Sequence, residues 1–161
     1  MSDDSSVLFN LKELMNLEED RIKTEEAEKE ARARAEAERR AAEERARAGL
    51  AALAGEGAEA EALRTRLLEA LATALSEQNR YDEALAALQQ VSRSLEAGGS
   101  APAVAANQLA MGAVLNRAWR NLEALEHQRA ARRAFVRAGD RYMTAVVDMH
   151  VGVSHESLGD L

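Results

Sequence analysis

Residues Leu68–Val91 read LEALATALSEQNRYDEALAALQQV, two amphipathic segments joined by the polar break Gln78-Asn79-Arg80. Moved forward by 40 residues, this pattern nearly recurs. The matched positions are Leu75 and Leu115, Arg80 and Arg120, Glu83-Ala84-Leu85 and Glu123-Ala124-Leu125, Arg93 and Arg133, and Gly99 and Gly139. Self-similarity at one fixed period of about 20–50 residues is typical of helical repeat arrays.

The recurring small residues are those that a stacked pair of helices needs. Ala72, Gly112 and Gly152 align at the same period and fall in mid-helix, where a larger side chain would hold the partner helix away. Ala84 and Ala124 fall early in the following helix, at the expected point of closest approach. The large apolar residues that flank them in the first unit are Leu68, Leu71, Leu75, Leu85, Leu88 and Val91. The pattern therefore predicts an all-α helical-hairpin repeat array with a long N-terminal helix.

This pattern resembles the tetratricopeptide repeat (TPR). In that family a small residue eight positions into helix A corresponds to Ala72, Gly112 and Gly152, and the alanine that opens helix B corresponds to Ala84 and Ala124. The corner 81–85, YDEAL, matches a frequent form. Leu68, Gln108 and Asp148 stand where the family often has tryptophan or another large apolar residue. The unit is longer than the usual ~34 residues and resembles the long-helix, kinesin-light-chain-like subtype.

The composition argues against several classes of protein. The net charge of −7 argues against nucleic-acid binding as the main task. Cysteine is absent, so no disulfide framework or cysteine metal site is expected. No apolar run approaches the ~18 residues of a membrane span, and the acidic N-terminus is unlike a signal peptide. A cytoplasmic protein without cofactors is expected.

The N-terminal segment, residues 1–17, joins a polar cap to a short apolar helix. Leu8, Leu11, Leu14 and Met15 share one face, which must dock on another surface to leave water. The following ~30 residues, rising about 1.5 Å each as a helix, would hold that face ~45 Å from the repeats. We therefore expect these four residues to dock on a partner or on a second copy of the chain.

The next segment, residues 18–57, is rich in Glu, Arg and Ala and ends in a glycine break. Six Glu-first pairs at i,i+4 spacing support a solvated helix; they are Glu19–Lys23, Glu25–Lys29, Glu28–Arg32, Glu30–Arg34, Glu36–Arg40 and Glu43–Arg47. We expect a solvated spacer that contributes little to the stability of the repeats. A thin apolar stripe keeps a dimerising or partner-binding coiled coil open as an alternative; it comprises Ala27, Ala31, Ala35, Ala42, Ala46 and Leu53.

Residues 58–161 form the predicted repeats: 58–99, 100–139 and an incomplete third unit, 140–161. The predicted helices span about 58–78, 81–97, 102–118, 121–138 and 141–158. Without a third helix B, Val147 and Val151 are expected to lack a partner. Because arrays normally end on a polar capping helix, this pattern favours a fragment of a longer array or a third repeat completed by another subunit.

Signals for chemistry are weak. His150 and His155 are five residues apart, which is not the spacing of a metal-binding pair, and His127 stands alone. No phosphate-binding glycine loop or nucleophile motif is present, so catalysis is not expected. Trp119 is expected to pack between repeat units. The basic face of the fifth predicted helix is interpreted as solvated, with a patch for an acidic partner as the alternative; it comprises Arg129, Arg132, Arg133 and Arg137.

The remaining source of function is the surface of the repeats. Resemblance to the family implies that helix A residues line a concave groove for peptides or helices. By register these are Arg66, Glu69, Thr73, Ser76, Glu77, Leu109, Ala113, Asn116, Arg117, Met149, Val153 and Glu156. We expect a non-catalytic protein-interaction scaffold or adaptor. Two alternatives stay open: the targeting or regulatory region of a larger signalling protein or enzyme, and a structural coiled-coil protein.

Overall fold

The computed structural model describes residues 3–53, 55, 57–98 and 100–159, with side chains from residue 13 onward except that of Ala97. The described residues form α-helices and no strand: α1 (Asp3–Ala52), α2 (Ala58–Glu77), α3 (Tyr81–Gly98), α4 (Ala101–Arg117), α5 (Asn121–Ala138) and α6 (Arg141–Leu158). The chain divides into two compact units, residues 1–38 and residues 39–161. The all-α prediction is confirmed, and α2–α6 begin and end within a residue of the predicted bounds.

Unit 1, residues 1–38, contains the first part of α1. Its described side chains are exposed except that of Ala35, which is half-buried. Two predicted ion pairs form here, Glu28–Arg32 and Glu30–Arg34, each at 3.2 Å. Arg21 also bridges two glutamates, Glu18 at 2.5 Å and Glu25 at 2.7 Å. Such exposed pairs add a few tenths of a kcal/mol each to a helix.

Unit 2 begins with the last part of α1, residues 39–52, which packs on α2 and α3. Ala46 is 3% exposed and lies in a core cluster with residues of α2 and α3, and Leu50 packs against that cluster. Gly49 lies so close to α2 that a Cβ there would come within 2.9 Å of Leu67 Cδ2. The expectation of a wholly solvated spacer is therefore wrong for these turns. Small residues let this helix approach α2 while its charged residues stay at the flanks.

Glu43 ties the end of α1 to the corner between α2 and α3. Its carboxylate accepts hydrogen bonds from Arg80 at 2.7 and 2.8 Å, from Gln78 at 2.9 Å and from Arg47 at 2.9 Å. The side chain is only 12% exposed. Burial acts to raise the pKa of Glu43, but the hydrogen bonds from Gln78, Arg80 and Arg47 outweigh it and hold the pKa below its usual range.

Glu43→Gln should therefore destabilise the fold in a pH-dependent way. A carboxylate with a lowered folded-state pKa stabilises the protein above its unfolded pKa of ~4.3 and loses that contribution as the pH falls through the folded value. We expect the variant to be about 1–3 kcal/mol less stable at neutral pH, with the difference shrinking on acidification below about pH 4. Urea unfolding across pH measures this. Glu44→Gln, at an exposed neighbour, is the control; a pH-independent difference for Glu43→Gln would contradict the assignment.

The small residues of the first two helix pairs lie at close contacts, as predicted. Ala84 and Ala124 are fully buried and Ala72 is 2% exposed. A Cβ at Gly112 would lie 2.9 Å from Gln128 Cγ and 3.3 Å from the backbone oxygen of Ala124. Gly152 differs, because nothing lies within 4 Å of a Cβ built there. The predicted close contact at Gly152 is therefore absent from the described part of the chain.

Two core clusters follow the order of the helices. The first joins α1–α5 around Leu75, Val91 and Leu115, and the second joins α4, α5 and α6 around Phe135 and Val147. Val147 is fully buried, and Val151 packs against the second cluster. The prediction that these two valines lack a partner is wrong, because they face α4 and α5 rather than the outer side of α6.

Three helices end in the same way at the 40-residue period. Asn79, Trp119 and Gly159 follow α2, α4 and α6 with positive φ values of 61°, 61° and 76°. The amides of Arg80 and Arg120 both donate to the carbonyl five residues back at 2.9 Å. At the start of α4, Ser100 is the N-cap residue, and Pro102 lies in the first turn of the helix. Gly99, which aligns with Gly139, lies outside the described residues.

Candidate functional site

A groove lies between α2 and α4 in unit 2. It encloses about 290 Å³, and buried Ala72 and Leu88 form part of its floor. We call it the α2–α4 groove. Its lining residues are Glu69, Ala72, Thr73, Ser76, Leu88, Ala106, Asn107, Ala110, Ala113, Val114 and Arg117. Because half of the lining residues from α4 are alanine, the groove keeps space that larger side chains would fill.

Five residues predicted from the repeat register lie together in this groove: Glu69, Thr73, Ser76, Ala113 and Arg117. The hydroxyl of Thr73 donates to the backbone carbonyl of Glu69 at 3.0 Å, and the side chain of Glu69 is exposed. Arg117 Nη1 donates to Ser76 Oγ at 3.3 Å. Neither Glu69 nor Arg117 forms an ion pair with another described residue. The groove therefore carries one acidic and one basic group available to a ligand.

The two charges are separated along the groove. Arg117 contacts Ser76, which is seven residues beyond Glu69 in α2. At about 1.5 Å per residue, seven residues span ~10 Å of helix. This is the length of about three residues of an extended chain, which rises ~3.3 Å per residue. The acidic and the basic group of the groove are therefore attached to its walls at positions about 10 Å apart along the helix axis.

Asn107 is a groove residue that the sequence analysis did not select. It is 3% exposed, and its Nδ2 donates to the carbonyl of Leu88 at 3.3 Å and to Ser92 Oγ at 2.7 Å. These bonds fix the wall of the groove where α3 meets α4. The sequence signal for it was an asparagine between the apolar residues Ala105 and Leu109.

Two other predicted residues of α4 serve packing. Leu109 is 8% exposed and lies in the core cluster with Phe135 and Val147, so it does not line a surface. Asn116 Oδ1 lies 2.8 Å from the hydroxyl of Ser154, which is also 3.0 Å from Gln128 Oε1. Ser154 and Gln128 are fully buried. These polar residues join α4, α5 and α6.

The remaining predicted surface residues lie outside the α2–α4 groove. Arg66 is exposed on α2, and the Glu77 carboxylate is 4.0 Å from Arg39 Nε. On α6, Met149, Val153 and Glu156 are exposed, the first two by 63% and 47%. They form a separate surface.

Part of the predicted N-terminal docking face can be placed. Leu14 and Met15 are 63% and 58% exposed in unit 1. The side chains of Leu8 and Leu11 lie outside the described residues. Docking through this face stays a prediction.

Trp119 does not pack between repeat units as predicted. It is 81% exposed, and its neighbour Leu122 is 69% exposed. Trp119 takes the left-handed position that ends α4, outside the helix contacts, and the corner is held instead by Arg120 with Glu123 at 2.6 and 2.7 Å.

His127 and Arg132 of α5 each contact a side chain of another helix. His127 Nδ1 lies 2.6 Å from Gln108 Oε1. Arg132 donates to Asp148 at 2.5 and 3.3 Å, and this hydrogen bond holds the pKa of Asp148 below its usual range. Arg129, Arg133 and Arg137 are exposed. The described residues contain no group of His, Asp or Glu arranged to hold a metal ion.

No protein-family model, curated protein or solved structure matches this chain. Among the described residues, no helix is both long and apolar enough to cross a membrane.

Proposed function

We propose that this chain is a non-catalytic scaffold or adaptor of TPR-like type, which binds a short peptide segment of another protein in the α2–α4 groove. The proposal rests on one observation, which is that five of the predicted residues line the same open groove. They are Glu69, Thr73, Ser76, Ala113 and Arg117. Their positions were predicted from the resemblance to the TPR family, carried over by the repeat register. The recurrence at 40-residue spacing of helix ends, and of buried small residues in the first two helix pairs, also supports the TPR-like assignment.

The ligand is an extended peptide with an acidic and a basic side chain about three residues apart. Arg117 attracts the acidic group and Glu69 the basic group, while the alanines of α4 accept small apolar side chains between them. Complementary charges of this kind fix the direction and register of the peptide more than they raise its affinity. The exposed Leu14 and Met15 belong to a second proposed docking surface, in unit 1.

Selection of random displayed peptides on the full chain tests this function. We expect the selected peptides to share the charge pattern, and Arg117→Glu to weaken their binding roughly tenfold or more in fluorescence polarisation. Arg129→Glu makes the same change of charge at an exposed residue of α5 and should leave the affinity unchanged. If the selected peptides bind Arg117→Glu as tightly as the original chain, the groove is not the binding site.

A further inference from the structure

The outer side of α5 carries a stripe of apolar and basic residues. Leu122, Arg129, Arg133 and Val136 follow one another at spacings of seven, four and three residues, which places them on one side of the helix. All four are exposed, Leu122 by 69% and Val136 by 52%. Neither arginine forms an ion pair with another described residue. We call these four residues the α5 stripe.

The exposure of the α5 stripe follows from the way the helices pack. At the 40-residue period its counterparts on α3 are Asp82, Gln89, Arg93 and Glu96, and these are exposed as well. They stay exposed although α4, α5 and α6 follow α3 in the chain. The counterparts on α3 include no apolar residue. The two large apolar side chains are therefore particular to α5, and they would leave water only if another surface covered them.

The first part of α1 carries a matching stripe of apolar and acidic residues. Met15, Glu19, Ile22 and Glu26 follow one another at spacings of four, three and four residues, so they also share one side of a helix. All four are exposed. Neither glutamate forms an ion pair with another described residue. We call these four residues the α1 stripe.

We propose that the α1 stripe of one copy of this chain docks on the α5 stripe of a second copy. This contact names the occupant of the docking surface proposed in unit 1, so it rests on that part of the proposed function, and the α2–α4 groove takes no part in it. Each copy offers one stripe of each kind. Two reciprocal contacts related by a twofold axis would therefore close a dimer.

A parallel alignment of the two stripes brings opposite charges together. Ile22 of one copy is placed beside Val136 of the other. Glu19 then meets Arg133, because each lies three residues before its apolar neighbour. The contact covers apolar side chains of both copies and gives both charges a partner.

Two further pairs follow from the same alignment. Met15 lies beside Arg129, since each is seven residues, or about 10 Å of helix, before the central apolar pair. The methylene groups of Arg129 can cover Met15 while the guanidinium stays in water. Glu26 lies within about one helical turn of Arg137, which likewise has no ion pair with another described residue.

The charges favour a second copy over an uncharged apolar helix as the occupant. An uncharged helix would cover Leu122 and Val136 but leave both arginines of the α5 stripe without a partner. The α1 stripe supplies glutamates at the spacing that these arginines require. Complementary charges of this kind select the partner and the register more than they raise the affinity.

Charge reversal tests the contact in sedimentation velocity of the full chain. The unmodified chain should form dimers as its concentration rises. Arg133→Glu and Glu19→Arg each place like charges opposite one another and should weaken dimerisation roughly tenfold or more. Arg93→Glu makes the same change at the aligned, exposed position of α3 and should dimerise as the unmodified chain does. Equal weakening by Arg93→Glu, unchanged dimerisation of Arg133→Glu, or an unmodified chain that stays monomeric up to about 1 mM overturns the proposal.

Mixing the two variants tests the pairing itself. In a 1:1 mixture of Arg133→Glu and Glu19→Arg, the heterodimer has opposite charges at both contacts, because one contact is unmodified and the other has its charges exchanged. The mixture should therefore dimerise with nearly the original affinity, although neither variant does so alone. A mixture that stays monomeric overturns the proposal, since it would show that these two residues do not face each other.

A variant of the α2–α4 groove separates this contact from peptide binding. Arg117→Glu, which should weaken peptide binding, should leave dimerisation unchanged. Loss of the dimer in this variant would show that the groove holds the second copy, and it would overturn the assignment to the α5 stripe. Failure of peptide selection with an intact dimer would refute the groove alone.

Discussion

Replacing Gly112 with leucine will lower the free energy of unfolding by roughly 1–3 kcal/mol. A Cβ at this position would be 2.9 Å from Gln128 Cγ and 3.3 Å from the backbone oxygen of Ala124. The glutamine side chain can move, but the Ala124 oxygen belongs to α5, and the outer atoms of leucine would force the two helices apart. Gln128 is fully buried beside Ser154, so its displacement would also disturb the contact with α6.

Thermal and urea unfolding of dilute samples, followed by circular dichroism, measure this loss. Gly152→Leu is the matched control, because the same side chain at the aligned position of α6 meets open space. It should be neutral or stabilising by up to ~1 kcal/mol, since leucine favours helix more than glycine does. Equal stability of the Gly112→Leu and Gly152→Leu chains would refute close packing of α4 on α5.

Ala46→Gln will destabilise unit 2 by roughly 2–4 kcal/mol, although it lies in the most highly charged helix of the chain. Ala46 is 3% exposed and lies in the cluster that contains Leu68, Leu71 and Leu75. Glutamine would bring an amide without a partner into that cluster and push α1 away from α2. The loss should appear in the unfolding of the repeats, since the cluster holds them together.

Ala37→Gln provides the comparison, because Ala37 is exposed on the same helix. The two substitutions have the same helix propensity and the same charge, so burial is their main difference. Urea unfolding should show a clear loss for Ala46→Gln and almost none for Ala37→Gln. Should both variants unfold like the original chain, the end of α1 would be a solvated spacer after all.

The repeated helices could be predicted from sequence because the same residues recur at a fixed spacing. Gly112 and Ala124 carry that signal, since only small residues fit where two helices touch. The role of α1 was harder to predict. Ala46 belonged to a recognised alanine stripe, but alanine is common on both solvated and packed helices. The partner that permits burial of Glu43 is Arg80, from the corner between α2 and α3, and no local sequence pattern predicts such a pair.

The groove could be predicted only in part. The repeat register shows which face of its helix a residue occupies, but it does not show which other helix covers that face. Glu69 and Arg117 line an open groove, and their role in binding stays a prediction. Leu109 was not, because α5 and α6 bury it together with Phe135 and Val147. The prediction for Trp119 was wrong for a related reason. Large aromatic residues usually lie in protein cores, but Trp119 has a left-handed backbone conformation at the corner after α4.

Packing in unit 2 follows the order of the chain, since α2 contacts α3, α3 contacts α4, α4 contacts α5 and α5 contacts α6. Contacts between sequence neighbours require only short loops to close, so such a chain should fold rapidly. The same arrangement couples each helix mainly to its neighbours, although α6 also contacts α4, so the unit resembles a one-dimensional lattice. Opening should therefore start at α6, whose outer face is not covered by any other described helix, and advance inward. Amide hydrogen exchange would then be fastest in α6 and slowest in the helices around Leu75 and Val91.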